Sequence, residues 1–266
     1  KPKTNTPERH NTLTKTGTVN GKSVVGSSVS RTKKHQKQQT KSRREGEREI
    51  WTCFPKTASK REVDTVFTLY DKPSMGIQLL MPMSGQGSRY REAGYTQPKP
   101  LIPINGIPMV KRLLESFPPA WPTCFVLAKN HEDSPLPTLL NSVRPNGKIK
   151  WIDPHALGPS FAALQALDLL EEDQPVFVSY CDYGMVWDCR QFEQFVQDSQ
   201  CDACVVSYRG FHAHYLSPTQ YAYSRLDGER VVEVKEKGSF TENRENDLAS
   251  SGGYYFRSVA LLRKAI

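Results

Sequence analysis

No stretch of the 266 residues approaches the ~20 consecutive apolar residues that a membrane-crossing helix needs. The start of the chain has no continuous apolar segment either, so it does not read as a signal peptide. Six cysteines (Cys53, Cys124, Cys181, Cys189, Cys201 and Cys204) are scattered. The C-x-x-C at Cys201–Cys204 has no second pair at zinc-site spacing, which leaves reduced thiols of a cytoplasmic protein as the expectation. His212 and His214 have no third ligand at a recognisable spacing, so packing or a polar lining role is expected of them. Internal repeats are absent. Between Lys1 and Glu49 there is no Phe, Trp or Tyr, so this basic stretch lacks the stacking residues of a nucleic-acid platform, and a nucleic-acid partner is not expected.

The formal net charge of +8 is unevenly distributed. Residues 1–70 hold 16 Lys and Arg against 6 Asp and Glu, which leaves 20 against 22 for residues 71–266. The basicity therefore belongs to the start of the chain and says nothing about a site in the remainder. Rich in Thr, Lys, Ser, Gln and Arg and poor in large apolar residues, that start cannot bury enough surface to offset chain ordering. The expected organisation is a basic, disordered tail over 1–74 and one α/β domain over 75–266, with Glu62–Tyr70 as a short strand or tether.

The most informative stretch is I-Q-L-L-M-P-M-S-G-Q-G-S-R-Y-R-E-A-G-Y-T-Q-P-K-P-L-I-P-I-N-G-I-P-M, Ile77 to Met109. Gln78–Met83 reads as a buried parallel strand. Ser84, Gly85, Gln86 and Gly87 follow as a loop in which backbone N–H groups can approach an anion. Arg89 adds a permanently charged fork that matches phosphate oxygens, and Lys99 stands between two prolines that restrict where its ammonium points. The third glycine of a dinucleotide fingerprint is missing, because Ser88-Arg89-Tyr90 follows, and there is no G-K-S/T of a P-loop. Further on, Val176–Asp182 is an apolar strand ending in an acid. A carboxylate at such a strand end is placed either to hold Mg²⁺ beside a polyphosphate or to cap a turn. Gly158 opens a helix with proline next to it. Glu236-Lys237 ends a charged strand, and Gly252-Gly253 begins an aromatic one.

P-M-S-G-Q-G-S-R-Y followed by P-K-P-L-I-P-I-N-G-I-P-M resembles the sugar-phosphate nucleotidyltransferases, in particular the glucose-1-phosphate and capsular-polysaccharide nucleotidyltransferase-like branch. The likeness runs from about Met75 to the end of the chain. It implies transfer of a nucleotidyl group from a nucleoside triphosphate to a sugar 1-phosphate, with release of pyrophosphate and Mg²⁺ as cofactor. It implies nucleotide contacts at Met83, Ser84, Gly85, Gly87 and Gly158, the last against the base. Arg89 would hold the leaving pyrophosphate, Lys99 the phosphates at the reacting centre, and Asp182 the metal. Glu236 would take sugar hydroxyls, Lys237 the sugar phosphate, and Gly253 would let the sugar approach closely. The D-x-D of many glycosyltransferases is absent, since Tyr183-Gly184 follows Asp182. The second metal-binding acid that the resemblance implies has no candidate before Ile266, so truncation at the C-terminal end is expected. A non-catalytic nucleotide- or sugar-phosphate-binding relative, or a glycosyltransferase of related fold, remain alternatives. The base, the sugar and the oligomeric state stay open.

Apolar strands alternate with helical patterns through this region. Strands are expected at Thr123–Ala128, Lys148–Ile152, Pro175–Tyr180 and Ala203–Tyr208, and helices at Ile107–Phe117, Pro135–Val143, Pro159–Leu170 and Trp187–Gln197. Phe161 falls outside the apolar arc of the third helix. This order predicts an α/β, Rossmann-like, mostly parallel sheet with helices on both faces, of the nucleotide-diphospho-sugar transferase type. After Tyr208, short strands at Gln220–Arg225, Arg230–Lys235 and Gly252–Phe256 predict a smaller β-rich part on the sugar side.

Overall fold

The computed structural model describes residues 50–53, 75–216 and 218–266, with backbone only for 50–53, 213 and 214. The basic tail up to Glu49 and Glu62–Tyr70 lie outside the described residues. The described residues belong to one compact unit, Glu45–Ile266.

The strands in chain order are β1 Ile50–Cys53, β2 Gln78–Pro82, β3 Pro103–Ile104, β4 Ile107–Pro108, β5 Thr123–Ala128, β6 Lys148–Ile152, β7 Val176–Ser179, β8 Ala203–Tyr208, β9 Tyr223–Asp227, β10 Arg230–Lys235 and β11 Leu248–Phe256. The helices are α1 Ser88–Glu92, α2 Met109–Leu114, α3 Leu136–Val143, α4 Gly158–Leu164, α5 Cys189–Ser199 and α6 Val259–Ala265. Nine strands form one sheet in the order β6-β5-β2-β7-β11-β8-β1-β10-β9, and β3 and β4 form a separate hairpin. The β6-β5-β2-β7 half is parallel, while β11 runs antiparallel to both β7 and β8.

Continuous apolar runs make the central strands because both sheet faces are covered. Side chains alternate across the sheet. Leu79, Met81, Phe125, Leu127 and Phe177 face one core, where Leu113, Leu140 and Phe192 pack from α2, α3 and α5. Leu80, Cys124, Val126, Val176 and Val178 face the other, against Ala162 and Ala163 of α4 and Leu262 of α6. Lys148 and Lys150 alternate with Ile149 and Trp151 on β6, the sheet edge, where charge discourages further pairing.

Several expected boundaries move. The helix expected from Ile107 starts at Met109, because Asn105 and Gly106 both take positive φ (50° and 77°) and turn the chain in a two-residue hairpin between Ile104 and Ile107. The helix expected over Pro159–Leu170 stops at Leu164 and resumes as a 3₁₀ turn at Leu167–Leu169, which sets Asp168 2.7 Å from Lys150. The Trp187 helix begins instead at Cys189, where the Asp188 carboxylate accepts the N–H groups of Arg190 and Gln191 (2.9 and 3.2 Å). The strand expected from Gln220 begins at Tyr223, and that expected from Gly252 begins at Leu248. The domain also reaches back past residue 75: Ile50–Cys53, grouped with the tail by composition, pairs parallel with β8 and antiparallel with β10. The β-rich segment after Tyr208 is therefore a continuation of the main sheet.

Candidate functional site

The chain order of the sheet determines where a crevice opens. From β2, the connections run outward through β5 to β6, and the next strand, β7, lies on the opposite side of β2. Loops leaving the carboxyl ends of β2 and β7 therefore diverge, and open α/β sheets take ligands at such a reversal. A cavity of about 940 Å³ lies there. It is lined by the loop after β2, by α1, by the turn before α4, by Tyr180–Asp182 after β7 and by Glu236–Lys237 after β10.

Met83, Ser84, Gly85, Gly87, Arg89, Lys99, Gly158, Asp182, Glu236 and Lys237 all line this cavity. Gly87 takes φ 61° where the loop turns into α1, a conformation that a β-carbon disfavours. Lys99 Nζ lies 2.5 Å from Asp182 Oδ2, joining the P-K-P segment to the end of β7 across 83 positions of sequence. The same ammonium sits 5.3 Å from the centre of the Tyr90 ring, so α1 supplies a second, weaker partner. Burial works against the Lys99 ammonium, but the Cys181 sulfur and the Asp182 carboxylate outweigh it and its pKa is raised. Burial also pushes the Cys181 thiol up to about 12, so the sulfur keeps its proton near neutral pH. Lys237 has φ 54°, a strained backbone for a non-glycine residue at the cavity wall.

Gly253 is buried and is not among the residues that line the cavity, and a β-carbon there would meet the Phe177 ring at 2.7 Å, so its smallness makes room for the core. His212 stacks on Tyr183 and lies tilted against Tyr208 (ring centres 5.9 and 5.5 Å). Cys201 and Cys204 are buried, and the described residues contain no group of three or more His, Cys, Asp or Glu positioned for a metal.

His155, Tyr180, Tyr90 and Gln220, which no motif in the sequence singles out, also line the cavity. His155 Nε2 lies 2.9 Å from Ser84 Oγ. The only signal in the sequence was its place three residues before Gly158, in a loop whose course a local pattern does not reveal.

Among the described residues, no helix is long and apolar enough to cross a membrane. Solved structures of similar fold include a nucleoside-diphosphate-sugar pyrophosphorylase from Vibrio cholerae (17% identity, 68% of this chain and 73% of that one, TM-score 0.54). HddC from Yersinia pseudotuberculosis is similar at 20% identity over 71% of this chain and 79% of its own, with a TM-score of 0.55. The inositol-1-phosphate CTP transferase from T. maritima shares 14% identity over 73% and 82%, with a TM-score of 0.53. No curated protein sequence matches the chain. Residues 83–240, more than half of the chain and spanning the loop after β2 through Lys237, match the MobA-like NTP transferase domain, and the chain is a nucleotidyltransferase belonging to that family.

Proposed function

We propose that the protein joins a nucleoside triphosphate to a sugar 1-phosphate and releases pyrophosphate. The observation that carries this is the Lys99–Asp182 contact in the crevice beside β2 and β7, with Arg89 and Lys237 on the same cavity wall. Both reactants are anions, and bringing them together requires convergent positive charge more than a strong base. The phosphate oxygen of the sugar phosphate is already a nucleophile. In-line attack at the α-phosphorus then depends on positioning. In this reading Arg89 binds the departing pyrophosphate, Lys99 the phosphates at the reacting centre, Lys237 the incoming phosphate, and Glu236 the sugar hydroxyls. The Gly85–Gly87 loop and the Gly158 turn bracket the nucleotide. Two proteins of similar fold, a nucleoside-diphosphate-sugar pyrophosphorylase and an inositol-1-phosphate CTP transferase, are named for the same reaction type.

The residues present fit Mg²⁺. Asp182 Oδ1 has no hydrogen-bond partner among the described residues, and Mg²⁺ commonly takes one or two carboxylates and completes its shell with water and substrate phosphate. Asp182 would hold the ion, and the ion would offset charge on the phosphates as the bonds change. Cys124, Cys181, Cys189 and Cys201 are free and buried, and with triphosphate as substrate this favours action in the cytoplasm. A pyrophosphate-release screen of the full chain, over four nucleoside triphosphates and a panel of sugar 1-phosphates, tests the proposal. Release should require both substrates; tight nucleotide binding without release across the panel would instead favour a non-catalytic binding protein.

A further inference from the structure

We infer that His155 is a positioning residue that sets Ser84 as a hydrogen-bond donor to the nucleotide, which deepens the reading above and rests on the cavity being the nucleotide site. The backbone N–H of Leu157 donates to His155 Nδ1 at 3.2 Å. An N–H only donates, so Nδ1 is the acceptor and a neutral imidazole carries its proton on Nε2. That Nε2–H faces Ser84 Oγ at 2.9 Å, and the serine is the acceptor of this bond. Ser84 is 2% exposed, and its Oγ has no other hydrogen-bond partner among the described residues. Its hydroxyl proton is therefore unspent, in a buried position on the cavity wall. A buried donor without an acceptor is costly, and a ligand oxygen or ring nitrogen that accepts it recovers that cost.

The ring itself is held on a third side. Phe161 of α4 packs edge-on against it, with ring centres 4.7 Å apart at 60°. This explains why Phe161 departs from the apolar arc of its helix. His155 thus links the loop after β2 to the turn that begins α4, the two segments assigned to the nucleotide, through one hydrogen bond across 71 positions. The ligand chemistry is an acceptor atom on the nucleotide, from either its base or its phosphates.

The test measures binding of a non-hydrolysable nucleoside triphosphate by calorimetry, without sugar phosphate, together with KM for each substrate. His155→Leu and Ser84→Ala should each weaken nucleotide binding about five- to tenfold, the range of one net hydrogen bond. The double variant should be no weaker than either single one, because the two act as a unit. KM for the sugar phosphate should stay unchanged. His155→Gln, whose amide nitrogen can stand where Nε2 stood, should restore binding to within about twofold, a rescue that loss of packing would not show. A parallel titration with inorganic tripolyphosphate locates the acceptor: equal loss assigns it to the phosphates, and loss confined to the nucleotide assigns it to the nucleoside. Losses that multiply in the double variant, or unchanged binding in His155→Leu with an unchanged melting point, overturn the inference. If the unmodified chain binds no nucleotide at all, it is the assignment of the cavity that fails.

Discussion

Lys99 and Asp182 are joined at 2.5 Å on the wall of the crevice, and neither is fully buried, with side chains 24% and 32% exposed. Partly exposed ion pairs contribute at most ~1 kcal/mol to stability. Groups that neutralise charge in a transition state are worth about a hundred- to a thousandfold in rate. Replacing Lys99 by Met or Asp182 by Asn should therefore leave the melting point within a few degrees of the original and lower pyrophosphate release by about two to three orders of magnitude. A large loss of stability with residual activity intact would make the pair a structural tie.

The pH dependence of that tie follows from the sign of the shift. The Lys99 pKa is raised above its ordinary 10.5, so its stabilising contribution is fully present below 10.5 and is lost as pH rises through the raised value. The stability difference between the native chain and Lys99→Met should be flat from about pH 7 to 9 in denaturant titrations and should shrink only in strong alkali. A difference that already falls between pH 7 and 9 would show that Lys99 is not held by the carboxylate.

Arg89 offers a planar fork, and a lysine offers a point charge. Arg89→Lys keeps the charge but loses the paired contact, and should cost about tenfold or more in kcat/KM. Steady-state kinetics of the purified variant checks this; an activity equal to that of the native chain would remove Arg89 from the phosphate site.

Gly253→Ala separates the core from the site. The added methyl group meets Phe177 at 2.7 Å, and overpacking of this kind costs about 1–3 kcal/mol. Chemical denaturation should register that loss, and KM for the sugar phosphate should not change. A KM effect with full stability would return Gly253 to the substrate side.

The buried thiols should be inert while the chain is folded. Burial pushes both Cys124 and Cys181 to about 12, although Cys181 lies on the cavity wall. Peptide-resolved alkylation at pH 8 should label neither until denaturant is added.

Strong local chemistry was legible in the sequence. The apolar run before Ser84 and the apolar run before Asp182 each name a central strand, and a parallel sheet brings the ends of such strands together whatever lies between them in the chain. That is why Arg89, Lys99 and Asp182 were readable as one group. Asn105-Gly106 was also readable, as a hairpin signal, but the helical spacing after Ile107 concealed it. The contact of Gly253 with Phe177 was not legible, because a glycine that avoids a core ring and one that admits a substrate look alike in sequence. His155 stayed hidden because its role depends on Ser84, 71 positions away, and on a turn that only the folded backbone defines.

Phosphorus NMR of the full chain with its preferred nucleoside triphosphate and sugar 1-phosphate should show one pyrophosphate for each new nucleoside diphosphate sugar, with both signals lost in Asp182→Asn. Orthophosphate and free nucleoside diphosphate in their place, or undiminished turnover by Asp182→Asn, would contradict the proposal.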